Sequence, residues 1–187
     1  MRLLSVCLAL LFLSSIPLAA QPRDAKDAVQ EIAALSTDMT QFATLLRLSE
    51  DISFWQSVSI MGAEYEWNFS YDTQGAEVFA WTIRLYNALD ESLFEGIAAS
   101  QAIARSRVLT KEEKEAGKAL FAQYEEMRGY GEMVYRLLKD GNFSKASEIY
   151  EAEVIQLRRD ISISATSAVI LLRDRIKRIA LDVRLGK

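Results

Sequence analysis

Three observations predict an all-α fold, an antiparallel up-down-up-down four-helix bundle with long first and fourth helices. No proline follows Pro22, so nothing covalent interrupts helices over the rest of the chain. Apolar residues recur at alternating spacings of four and three, as at Ala28, Ile32, Leu35, Met39, Phe42 and Leu46, which marks helices that bury one face in a bundle. Turn and capping signals divide the chain into four long segments. The 187 residues are 50% hydrophobic and 26% charged, a balance that suits one globular domain with a single core.

The first helix is expected from about Asp24 to Phe69, with its stripe shifting to Leu48, Ile52 and Trp55. A turn is expected at Tyr71-Asp72-Thr73-Gln74-Gly75. The second helix covers about Ala76 to Arg105, with Val78, Leu85, Leu89, Ser92, Gly96, Ala99 and Ile103 along one face. Thr110-Lys111-Glu112-Glu113 is a capping box that opens a third helix to Asp140. Gly117, Leu120, Tyr124, Met127, Gly131, Val134 and Leu138 form its stripe, and Gly141-Asn142 ends it. Ser144 is expected to cap the fourth helix, which runs to about Leu185. Two stripes are expected there, Tyr150, Val154, Leu157 and Ile161, then Val169, Leu172, Ile176, Ile179 and Val183. A stutter filled by Ser162, Ser164, Ala165, Thr166 and Ser167 separates them.

One stretch also fits another structure. Tyr65, Trp67, Phe69 and Tyr71, and then Phe79, Trp81, Ile83 and Leu85, alternate along residues 64–86 as the strands of a β-hairpin do. Helix is preferred because Val78, Leu85, Leu89 and Leu93 also share a helical face. In the bundle, the surplus lengths of helices one and four project from the same pole. A surplus of about 10–15 residues at ~1.5 Å each makes a two-helix stalk of about 15–22 Å.

Residues 1–20 read as a signal peptide and 21–187 as the bundle domain. Arg2 precedes the apolar run Leu3 to Leu13, and Leu18-Ala19-Ala20 resembles a small-residue cleavage site. The apolar run is short for a membrane span, although an uncleaved anchor is the other reading. The expected location is therefore periplasmic or secreted. Cleavage would remove Cys7, the one cysteine, and with it any disulfide or thiol chemistry. The chain has no histidine, which excludes Ser-His-Asp and Cys-His catalytic sets, His-ligated haem and the usual zinc sites. No catalytic set, metal site or cofactor is expected. A formal net charge of −4 and export both disfavour nucleic acid as a partner.

Aligning the helices by level brings Trp55, Gln56, Ser92, Tyr124 and Arg159 together, with Ser53, Gly96, Ser162 and Ser164 about one turn away. Polar residues at stripe positions need partners, so such a layer forms a hydrogen-bonded network or surrounds water or a ligand. Arg158 or Arg159 would hold a carboxylate bidentately, and Trp55 and Tyr124 would supply an aromatic wall. Small residues that let helices approach, with the arginines in solvent, are the plainer explanation. The aromatic group Tyr65, Trp67, Phe69, Tyr71, Phe79 and Trp81 fits either a core cap or a contact surface. The cations Arg173, Arg175, Lys177, Arg178, Arg184 and Lys187 outnumber Asp174 and Asp182 near the C-terminus. They suit either the helix dipole or a peripheral contact with anionic lipid.

The segment Gly131-Glu-Met-Val-Tyr-Arg-Leu-Leu-Lys-Asp-Gly-Asn-Phe-Ser-Lys-Ala146 is similar to the third-to-fourth helix junction of a known family. The order of helix lengths resembles it too. That family is the four-helix-bundle periplasmic sensor domain of methyl-accepting chemotaxis receptors and related sensor kinases. The resemblance implies a stand-alone sensor-like module, without the second transmembrane helix and signalling coiled coil of full receptors. It implies non-enzymatic binding of a small molecule within the bundle, or docking to a membrane receptor or a homodimer partner. The alternative expectation is a structural or chaperone-like envelope protein that acts through exposed apolar surface.

Overall fold

The computed structural model describes residues 25–69 and 74–185, with the side chains of 66–69 and 74–79 left aside. The expected signal peptide, residues 1–20, lies outside the described residues, as do Tyr71 to Thr73 of the expected first turn, whose Gln74 and Gly75 are helical. All the regular structure described is helical. Helix α1 is Ala25–Phe69, α2 is Gln74–Arg105 and α3 is Lys111–Lys139. Helix α4 opens as Phe143–Ile149, passes through a π-helical turn at Tyr150–Val154 and continues as Ile155–Leu185. Among the described residues of the expected β-hairpin, 64–69 and 74–86 are helical. Trp81 is half-buried against Gly62 of α1, and Leu85 and Leu89 are buried one turn apart, as the helical reading requires.

Side-chain pairs give the relative order of the helices. Arg47 and Ser59 of α1 meet Glu95 and Trp81 of α2, so these helices run in opposite directions. Along α2 and α3, Gly117 lies against Ile103, Tyr124 bonds Ser92, and Gly131 lies against Leu89, again in reversed order. Phe42 and Gln56 of α1 lie near Gly117 and Gly131 of α3, in matching order. Glu113 and Tyr130 of α3 pair with Arg175 and Glu153 of α4 in reversed order.

Local chemistry explains the helix ends. Thr110 accepts a hydrogen bond from Glu113 N at 3.2 Å, and Thr110 N donates to Glu113 Oε2 at 2.7 Å, so both bonds of the capping box form. At the end of α3, Asn142 N donates to Leu137 O at 2.8 Å and Gly141 N to Leu138 O at 3.1 Å. This is a Schellman closure, with Gly141 in the left-handed region at φ 71°. The expected Ser144 cap is not used. Helix α4 starts two residues earlier, at Phe143, with Asn142 at the cap position making no side-chain bond.

Through the expected stutter at Ser162 to Ser167 the backbone stays regular helix, with Leu157, Ile161 and Ala165 at successive spacings of four on the core side. Ile161, Ala165, Ala168 and Leu172 are all buried, so the stripe runs unbroken through it. The irregularity falls earlier, where Ile155 N bonds Tyr150 O across the π turn. Ala146 and Val154 both face the core. Their separation is about one residue too long for two regular turns, and the wider π turn absorbs the surplus.

Glycines let the helices close on bulky side chains. A Cβ on Gly96 would overlap the Tyr124 ring, and one on Gly62 would overlap Trp81. The α2–α3 connection sits level with Asp38, which accepts a 2.6 Å bond from Ser106 Oγ. Helix α1 before Glu31 and α4 after Arg175 extend past the start of α3 at one pole. At ~1.5 Å per residue this two-helix stalk is about 9–15 Å long. No helix among the described residues is long and apolar enough to cross a membrane.

Candidate functional site

The middle of the bundle carries a polar layer. Helix α1 supplies Ser49, Ser53, Gln56 and Ser59, all fully buried and one helical turn apart along its inner face. Helix α2 supplies Ser92, also buried. Helix α3 supplies Tyr124, fully buried, and Arg128, whose side chain is 12% exposed. Aliphatic residues at these positions would pack without polar demands, so each polar atom here needs a partner.

Most of the partners are backbone carbonyls. Ser49 Oγ donates to Leu46 O at 2.7 Å and Ser92 Oγ to Leu89 O at 3.0 Å, both within their own helices. Ser59 Oγ crosses to Trp81 O at 3.1 Å, and Tyr124 OH crosses to Ser92 O at 2.5 Å. Burial pushes the Tyr124 phenol above its ordinary pKa, so it remains a protonated donor. Gln56 Nε2 reaches Met127 O at 3.4 Å. Gly131 makes room for this contact, because a Cβ there would stand 2.9 Å from Gln56 Nε2 and 2.6 Å from Leu89 Cδ2.

Among the described residues, three buried polar atoms have no protein partner, namely Ser53 Oγ, Gln56 Oε1 and Arg128 Nε. The Arg128 guanidinium is otherwise held by its own helix, by Glu125 at 3.5 Å and Glu132 at 3.6 Å. Because Gln56 directs its amide N–H groups at Met127 O, its Oε1 can act only as an acceptor. The layer therefore has an unmet need for a hydrogen-bond donor beside α1.

Of the residues singled out in the sequence, the fold brings together Gln56, Ser92 and Tyr124, linked through Leu89, Met127 and Gly131. Trp55 is half-buried at the edge of the core, in a T-shaped contact with exposed Phe54 at 5.4 Å. Arg158 and Arg159 do not join the layer, since both are exposed. Ile161 is buried and Leu157 packs against the core, so the two arginines fall beside the stripe, where their guanidinium groups stay hydrated. The expected carboxylate clamp is thus not assembled. The sequence reading missed Ser49, Ser59 and Arg128. Arg128 lies one turn after Tyr124, a spacing that identifies it as a neighbour.

A second cluster sits at the root of the stalk. Arg175 of α4 bonds Glu31 of α1 at 3.0 Å and Glu113 of α3 at 3.1 Å, joining three helices. Beside it, Asp38 is 6% exposed. Burial raises its carboxyl pKa, while the Ser106 hydrogen bond works in the other direction. Ser106 Oγ in turn accepts from Val108 N and Leu109 N, each at 3.2 Å. Asp38 therefore anchors the α2–α3 connection to α1.

Comparison with known proteins finds no family model, curated protein or solved structure that matches this chain. Of the expected resemblance to chemoreceptor sensor domains, the structure bears out the four-helix, all-helical architecture and nothing finer.

Proposed function

We propose that this chain is a non-enzymatic, sensor-like binding module of the cell envelope that takes a small hydrogen-bond-donating molecule into the bundle. The observation that carries the reading is the pair Ser53 Oγ and Gln56 Oε1, enclosed in the core without protein partners. Leaving such atoms unpaired costs about 1–3 kcal/mol each, which a bound N–H or O–H donor would recover. A carboxylate offers no donor to Gln56 Oε1, so amines, amides and hydroxyl compounds fit better than acids. The ligand would act by favouring one packing of α1 against α3, to the extent that it binds that packing more tightly. Export through residues 1–20, and docking of a membrane receptor at the stalk, belong to the same reading.

Thermal unfolding in the presence of ammonium, ethanolamine, acetamide and small sugars tests this. At about 100 times its Kd, a ligand adds about 2.7 kcal/mol, or about 5–10 °C for a chain of this size. The shift should vanish in Gln56→Leu and weaken in Ser53→Ala. If no donor shifts the transition and a pull-down from envelope extract is empty, the reading fails.

A second reading has its own observation. Phe54, Met61 and Tyr65 are exposed on the outer face of α1, as a structural or chaperone-like envelope protein would use them. Suppression of client aggregation that Phe54→Ser with Met61→Ser abolishes, and Gln56→Leu leaves intact, would favour it.

A further inference from the structure

The tip of the stalk combines exposed aliphatic side chains with unpaired cations. Leu181 is 52% and Leu185 56% exposed, one turn apart on α4, and Val29 of α1 is 64% exposed. Arg178 lies one turn before Leu181, and Arg184 one turn after it. Among the described residues neither arginine has an ion-pair partner, whereas Arg173 and Lys177 share Asp174 at 3.9 and 3.8 Å. The acids near this pole are Asp27, Glu31, Asp174 and Asp182. Glu31 is taken up by Arg175, so the outer strip of α4 keeps its positive excess. This strip stands out on a chain whose formal net charge is −4.

We infer that the stalk tip docks on an anionic phospholipid surface, with Leu181 and Leu185 entering the headgroup region and Arg178 and Arg184 meeting lipid phosphates. Short aliphatic contacts beside cations are the pattern that binds such a surface, through apolar burial and attraction to negative lipid together. Charge complementarity names the occupant, since this strip is cationic on a chain that is acidic as a whole. The inference does not depend on a small-molecule site.

Flotation of the whole chain with phosphatidylcholine vesicles, with and without about 30% phosphatidylglycerol, tests it. Binding should require phosphatidylglycerol and weaken in high salt. Arg178→Glu with Arg184→Glu should lower partitioning by about tenfold or more, and Leu181→Ser with Leu185→Ser should lower it too. Arg158→Glu with Arg159→Glu, the same charge change at exposed mid-bundle positions, should leave it unchanged. Equal binding to both vesicle types would overturn the inference, because apolar contact alone would then carry it. Equal loss in the two charge-reversed variants would overturn it as a bulk charge effect. If no vesicle binds and the Leu→Ser variant converts a dimer to a monomer by sedimentation, a second copy of the chain covers this face instead.

Discussion

At the scale of single residues, shape and polarity make separable demands in the mid-bundle. Gly96 is a shape requirement, because any Cβ there meets the Tyr124 ring. Gly96→Ala should cost about 1–3 kcal/mol in urea unfolding. Gln56 is a polarity demand that the protein alone leaves half met, with Nε2 bonded at 3.4 Å and Oε1 unpaired. Without ligand, Gln56→Leu should therefore be neutral or stabilising by about 1 kcal/mol in the same assay, and a loss above ~2 kcal/mol would show that the amide is satisfied. Asp38 makes stability depend on pH. Burial raises its folded-state pKa above the unfolded value, so the folded chain binds this proton more tightly. The contribution is complete below the unfolded pKa and falls away as pH rises through the folded one. As pH rises above the ordinary carboxylate range, Asp38→Asn should lose this declining component in urea unfolding.

At the scale of the element, the sequence was legible wherever one residue type decides the backbone. Thr110 and Glu113 announce the start of α3, and Gly141 at φ 71° announces its end. Thr110→Ala should cost about 1 kcal/mol of stability. The π turn was not legible, because Tyr150-Glu-Ala-Glu-Val154 is built from ordinary helix residues. It emerges only from the spacing of buried residues on either side. Deleting Ala152 should convert this turn to regular helix and preserve the fold, with little change in Tm. Deleting Thr166 from the regular part of α4 should rotate one end of the helix by about 100° and abolish the cooperative transition. The same distinction explains the candidate site. Level along the bundle can be counted in sequence, and it correctly grouped Gln56, Ser92 and Tyr124. Direction around α4 depends on which neighbours win the core, and there Leu157 and Ile161 displaced Arg158 and Arg159.

At the scale of the whole molecule, two unlike devices hold the bundle together. Its middle relies on carbonyl acceptors and glycine sockets, and the root of its stalk on the Glu31–Arg175–Glu113 clasp and the Asp38–Ser106 bond. Spin labels at positions 29 and 181 should lie within about 20 Å of each other, whereas labels at 29 and 65 should lie about 50 Å apart along α1. The central claim concerns the layer between these ends, and a high-resolution crystal structure of the protein isolated from its own envelope tests it most directly. The account predicts density for a bound molecule about 2.7–3.2 Å from Gln56 Oε1, with Ser53 Oγ also engaged. Gln56 Oε1 and Ser53 Oγ turned onto protein groups, with no density between them, would contradict it.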